Sequence, residues 1–224
     1  YRDRSIRKLE YPSRDASSLG RILTDNYTFD PGNVTYLYNP SRREILRKFE
    51  ELRRSLDPED NLLIYYAGHG YWDEEMSQGY WLPVDAQKND RSNWLSNSTV
   101  TDYLRAIDTR HILLISDACF SGSIFRSRSA FNEADASIRS MWETPSRRAI
   151  TSGNLKEVPD ESVFARYLRK RLANNREDYL YSQKLFVSFR DAVTNNSPNS
   201  QSPQYGVIRQ TGDEGGDFIF VRRK

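Results

Sequence analysis

"HILLISDACFSG", residues 111–122, is the stretch on which the fold turns. Four apolar side chains at 112–115 run without alternation toward an acid, a small residue and the chain's single cysteine, with Ser and Gly beyond. An uninterrupted apolar run suits a central strand of a parallel sheet, because helices cover both of its faces. A second such run, "NLLIYYAG" at 61–68, leads into His69, which stands between Gly68 and Gly70. Both runs are expected to be parallel strands whose carboxyl ends carry the residues of interest.

Working outward, strand-like and helix-period segments alternate. "NVTYLY" (33–38) reads as a strand. "SRREILRKFEELRRSL" (41–56) gathers Ile45, Leu46, Phe49, Leu52 and Leu56 on one helical face, with Ser41 as a cap. "STVTDYLRAI" (98–107), "SVFARYLRKRLA" (162–173) and "SQKLFVSFRDAV" (182–193) read as helices, and "RRAITSG" (147–153) as a strand. "YGVIR" and "GDFIFVRR" close the chain as one strand or a pair. This alternation predicts an α/β fold with a mostly parallel sheet, and the length of 224 residues suits a single domain. Residues 123–148 mix charges and small polar side chains without periodicity, and are expected to form a mobile connection.

Composition narrows the function. The 33 Lys and Arg nearly balance 31 Asp and Glu, and the cations are scattered, so no nucleic-acid partner is expected. No stretch approaches the roughly 18 apolar residues of a membrane span, and the first residues lack the apolar core of a signal peptide. One cysteine cannot form an internal disulfide, which points to a reducing, cytoplasmic setting.

Neighbouring parallel strands lie about 4.8 Å apart, so the two runs would deliver His69 and Cys119 to one edge of the sheet, where α/β ligand sites form. A thiol attacks as the thiolate, and His69 is the candidate base. Gly68 and Gly70 would let the chain turn sharply, and the Gly70 and Cys119 amides would form an oxyanion hole. The implied chemistry is acyl transfer to sulfur followed by hydrolysis. The plainer reading, in which Cys119 is a small buried filler, weakens once it is paired with a Gly-His-Gly turn. His111 is explained as a strand-start residue.

At these residues the sequence resembles the caspase-like cysteine peptidases, particularly their bacterial and metacaspase branch. "LLIYYAGHG" matches the histidine strand and "HILLISDACFSG" the cysteine strand, fifty residues apart as in caspases. "GYWLPVDA" (79–86), "RRAITSGN" and the closing strands extend the match. Asp117 stands where animal caspases carry Gln, which favours the metacaspase side. The resemblance implies a three-layer sandwich, a large-subunit-like region at 1–122, a linker at 123–146 and a small-subunit-like region at 147–224. It also implies a first strand ahead of Tyr1, absent from this chain, and attachment to an upstream regulatory region.

Metacaspase-like relatives cut after Arg or Lys using acids, and Asp117 and Asp15 match two of these. On the residues alone, Asp117 could instead cap a turn and Asp15 the helix that follows it. Ala67 departs from the Ser that metacaspases carry. Arg126, Arg128, Arg139, Arg147 and Arg148 lie within or beside the connection, so limited autoproteolysis there is an expectation. Some metacaspases need calcium. Asp73, Glu74, Glu75, Asp85 and Asp90 fall in the matching region, but no Asp-x-Asp-x-Asp-Gly loop is present, so no metal site is expected and calcium is the one cofactor the resemblance leaves open. The expected function is a cysteine endopeptidase acting on a protein or peptide. The alternatives are a non-catalytic scaffold of the same fold and a legumain- or separase-like hydrolase.

Overall fold

A computed structural model of the chain describes residues 1–118, 124–125, 137–153, 160–198 and 201–224. In chain order the elements are α1 (Pro12–Asn26), α2 (Arg42–Ser55), β1 (Asn61–Ala67), β2 (Gly70–Asp73), β3 (Gln78–Trp81), β4 (Leu95–Ser96), α3 (Asn97–Ala106), β5 (His111–Asp117), α4 (Ile138–Glu143), β6 (Ser146–Thr151), α5 (Val163–Ala173), β7 (Tyr179–Tyr181), α6 (Ser182–Asn196), β8 (Gln204–Val207) and β9 (Ile219–Val221).

The central sheet runs β1-β5-β6-β8. Its first three strands are parallel, and β8 is antiparallel to β6. Alternate side chains of each strand feed two cores. On one face Leu113, Ile115 and Ile150 pack against Leu19 and Leu23 of α1, Phe164 and Leu168 of α5, and Phe186 and Phe189 of α6. On the other, Leu62, Ile112, Leu114 and Ala149 meet Ile45 and Phe49 of α2 and Val100 and Leu104 of α3. These are the three layers that apolar runs at β1 and β5 require, since neither face of a strand such as Ile112–Ile115 tolerates water.

The helices form for local reasons. Ser41 caps α2: its hydroxyl accepts the Glu44 N–H at 3.3 Å while the Glu44 carboxylate accepts the Ser41 N–H at 2.7 Å, a reciprocal box that satisfies two orphan donors. Pro12 opens α1 at a position where its missing N–H costs nothing.

Some expectations need correction. Residues 34–38 are not a strand: Pro31–Asn33 is a 3-10 turn, and among the described residues no strand pairs with the segment beyond it. Its aromatic residues lie on α1 instead. Tyr36 and Tyr38 stack at 5.7 Å, Tyr38 hydrogen-bonds Ser17 at 2.7 Å, and the Tyr36 hydroxyl fills the space that a Cβ on Gly20 would need. The connection is structured from residue 138 onward, as α4 and then β6, and Ile124 and Phe125 are buried. The rest of it, 123 and 126–136, lies outside the described residues. Of the two closing segments, β8 joins the central sheet while β9 pairs with β7 in a separate ribbon. The small β2-β3-β4 sheet has strands too short to announce themselves by periodicity.

Candidate active site

The β1–β5 register is the key to the site. Asn61 pairs with His111, and each step follows in turn to Ala67 with Asp117, so the offset is constant along the ladder. The pairing runs to the carboxyl edge, where the Gly68 N–H donates to the Asp117 carbonyl at 3.4 Å. Here β1 releases the chain into His69, and β5 ends at Asp117, followed by buried Ala118, the residue before Cys119. Cys119 itself lies outside the described residues.

His69 is held from several sides. Its carbonyl accepts from the Tyr66 hydroxyl at 2.6 Å and from the Leu82 N–H at 3.1 Å. Its backbone N–H donates to the Tyr1 hydroxyl at 3.0 Å, and the Tyr1 ring lies 5.1 Å from the imidazole. The imidazole Nε2 is 2.8 Å from the Arg7 carbonyl. A carbonyl only accepts, so Nε2 carries the proton and Nδ1 is left with the lone pair. Tyr66 is itself fixed by stacking on Trp81 at 4.1 Å.

Gly68 and Gly70 do not act through left-handed backbone, since neither has positive φ. At Gly68 the constraint is closeness: an added Cβ would lie 3.0 Å from the Tyr66 hydroxyl. Gly70 begins β2 opposite Trp81. Because the preceding pair, His69 with Leu82, is the hydrogen-bonded one, the alternation of an antiparallel ladder makes Gly70 a non-hydrogen-bonded position, its N–H pointing away from β3. The Gly70 N–H is therefore not used by the β2–β3 ladder.

Asp117 is 3% exposed. Burial pushes its carboxyl up to about 6, opposed by the hydroxyls of Ser162 and Ser152. It follows Leu113 and Ile115 on one side of β5, so it faces the layer of α1, α5 and α6. Asp15, 6% exposed, lies on α1 in that same layer and is paired with Arg169 of α5. It is one turn inside the helix and does not cap it; the N-cap position is Tyr11. The structure thus puts both acids on one side of the sheet, with Asp15 already holding a cation.

Three of the acids considered for calcium have local roles. Asp73 accepts the Met76 N–H at 3.1 Å and pairs with Arg91. Asp85 accepts the Arg42 N–H at 2.9 Å, and Asp90 the Ser92 N–H at 2.8 Å. Among the described residues no group of His, Cys, Asp and Glu is arranged to hold a metal ion. His111 is fully buried at the start of β5, bonded to Ser146 and to the Trp142 carbonyl at 2.8 Å each, the structural part expected of it.

The cleavable arginines are fewer than expected. Arg147 and Arg148 belong to β6; Arg147 is buried with its guanidinium on the carbonyls of Thr109, Arg110 and Ser146, and Arg148 donates to the Gly216 carbonyl. A backbone engaged in a central strand is closed to a protease. Arg139 lies in α4, and Arg126 and Arg128 lie outside the described residues. Sequence reasoning also missed Arg7 and Tyr1 as partners of His69. No signal could have marked Arg7, because the contact is made by a backbone carbonyl that every residue owns.

A sequence profile of the caspase domain family matches residues 1–211. Among solved structures, a structural-genomics target from Geobacter sulfurreducens superposes with a TM-score of 0.60 at 18% identity, covering 90% of this chain and 85% of that one. No curated protein matches the chain. No helix among the described residues is long and apolar enough to cross a membrane. The profile spans most of the chain and the α/β architecture is consistent with it, so the chain belongs to the caspase domain family, and its function is of the cysteine-peptidase type.

Proposed function

We propose that the protein is a cysteine endopeptidase that cleaves after Arg or Lys. The observation that carries this reading is the constant β1–β5 register. Cys119 and His69 differ by the same number of residues as every pair in that ladder, which supports reading them as a nucleophile and base that act together at its carboxyl edge.

The Arg7 carbonyl orients the imidazole with Nδ1 unprotonated, and Nδ1 takes the Cys119 thiol proton. The thiolate forms a bond to the carbonyl carbon of the scissile peptide, and the carbonyl π-electrons move to oxygen, where the N–H groups of Gly70 and Cys119 receive the charge. Collapse of this intermediate breaks the C–N bond. The proton on His69 leaves with the amine, and a thioester remains. Water, deprotonated by Nδ1, then attacks the thioester and returns the thiol and a free carboxylate.

Asp117 supplies the charge that selects a basic side chain. Asp15, in the layer over the same face, adds negative charge that Arg169 offsets. The substrate is a protein or peptide, the reaction needs no metal, and the setting is cytoplasmic. Autoproteolysis is directed to Arg126 or Arg128, since Arg147 and Arg148 are locked in β6. Cleavage of a peptide library by wild type and by Cys119→Ala tests the reading: wild type is expected to cut after Arg or Lys and the variant not at all. Preference for Asp, or unchanged cutting by Cys119→Ala, overturns it.

A further inference from the structure

Three polar side-chain oxygens end on one side of the sheet at its carboxyl edge. They are the Tyr65 hydroxyl on β1, Asp117 Oδ1 on β5, and Ser152 Oγ just past β6. Each oxygen is buried and none makes a hydrogen bond of good geometry among the described residues, although the Ser152 and Ser162 hydroxyls stand close enough to the Asp117 carboxyl to favour its charge. Strand alternation puts them together. Tyr65 packs with the core that holds Leu113, Ile115 and Ile150, and Asp117 and Ser152 each follow those residues by two positions. Ser152 continues the ladder, its N–H donating to the Ser116 carbonyl at 3.0 Å. The charge of Asp117 is felt at Tyr65, whose phenol is pushed well above its usual range chiefly by burial.

Folded proteins pair nearly all their buried polar atoms, so oxygens left without a well-formed hydrogen bond on three neighbouring strands fit a ligand that donates to them. Among the described residues no cation pairs with Asp117, and Arg169, the cation in the same layer, is held by Asp15. The set consists of one acid flanked by two hydroxyl oxygens, spread over three strands. A planar guanidinium offers five N–H donors in a fixed fork, whereas an ammonium offers three on a compact point.

We propose that Tyr65 and Ser152 are specificity-determining residues which, with Asp117, make the substrate pocket select Arg over Lys. The proposal deepens the peptidase reading and rests on Asp117 lining that pocket. It also accounts for Ala67. Residues 65 and 67 share a side of β1, and the Tyr65 hydroxyl provides there the polarity that Ala67 lacks. Tyr65 stays neutral throughout the working range, so it donates to Asp117 or accepts from the substrate without adding charge.

The test separates binding from cleavage. Titrating Cys119→Ala protein with N-acetyl-arginine amide and N-acetyl-lysine amide is expected to show tighter binding of the arginine compound by about tenfold, the size of one hydrogen bond to a charged group. Adding Tyr65→Phe or Ser152→Ala is expected to reduce that ratio toward one, and Asp117→Asn to abolish binding of both. Since Tyr65→Phe removes an unpaired buried hydroxyl, it is also expected to raise the Tm, so a loss of selectivity cannot be a loss of folding. Equal binding of the two amides, or an unchanged ratio in Tyr65→Phe, overturns the proposal. If the arginine amide binds selectively but wild type hydrolyses no peptide, the peptidase reading fails and the pocket assignment stands. If wild type cuts after basic residues with a ratio indifferent to Tyr65 and Ser152, the reverse holds.

Discussion

Replacing Asp117 with Asn should make the protein more stable and less active, and the stability gain should depend on pH. In the fold, burial pushes the Asp117 carboxyl up to about 6 from an ordinary 3.8. A raised folded value means that protonation stabilises the fold: the contribution is complete below 3.8 and is lost as pH climbs through about 6. By pH 8 the wild type therefore holds a buried carboxylate that costs about 3 kcal/mol relative to its neutral form. Asn has nearly the same shape and no charge, so Asp117→Asn is expected to recover up to about 3 kcal/mol at pH 8 and almost nothing at pH 3.5. For a chain of this size that corresponds to a Tm higher by roughly 6 to 12 °C at pH 8. Thermal melts of both proteins across pH 3.5 to 8 measure it, and the difference between them cancels the titration of other carboxylates. An Asn variant no more stable than wild type at pH 8, or a difference that does not change with pH, refutes the reasoning. The same variant should lose cleavage after Arg and Lys, the trade expected where function requires an unfavourable buried charge.

Ser41→Ala removes half of the α2 capping box and should destabilise by about 1 kcal/mol, read by urea unfolding. Gly216→Ala should cost more than about 2 kcal/mol, because the new methyl would overlap the Thr144 carbonyl oxygen and press on that of Met141, both backbone atoms; a variant melting with wild type would show that the contact yields. Self-cleavage fragments, mapped by mass spectrometry, should end at Arg126 or Arg128 and not at Arg147 or Arg148, and Cys119→Ala should yield none. Peptide hydrolysis should persist in a calcium chelator, and strict dependence on added calcium would contradict the metal-free reading.

Much of the architecture was legible in the order of residues. The apolar runs at 62–66 and 112–115 have no polar side, so each suits a strand packed on both faces, fully for β5 and partly for the edge strand β1. Ser41 followed three residues on by Glu44 marks a helix start, because the box closes within four residues. The histidine turn and Cys119 were legible as candidates too, since Gly-His-Gly has little packing purpose. Segment 34–38 was misread for the complementary reason. Its composition suits a strand, but a strand exists only where a neighbour accepts its backbone bonds, and Tyr36 and Tyr38 found α1 instead. Arg147 and Arg148 could be counted with the linker by composition and with a strand by the run at 147–153, and the structure settles them in β6.

By itself, then, the sequence determined what local chemistry determines: the enclosed strand β5 and its parallel neighbour β1, which proves to be a half-buried strand at the sheet edge, the capped helix α2, and the residue types that end each strand. The tertiary structure decided what depends on contacts between distant residues. These are the register that brings His69 level with the end of β5, the Arg7 carbonyl that sets the imidazole tautomer, the pairing of Asp15 with Arg169, and the gathering of Tyr65, Asp117 and Ser152 on one side of the sheet. Each joins groups from different elements. Hydrogen bonds and desolvation act over a few ångströms of space regardless of separation along the chain, so no window of sequence contains them.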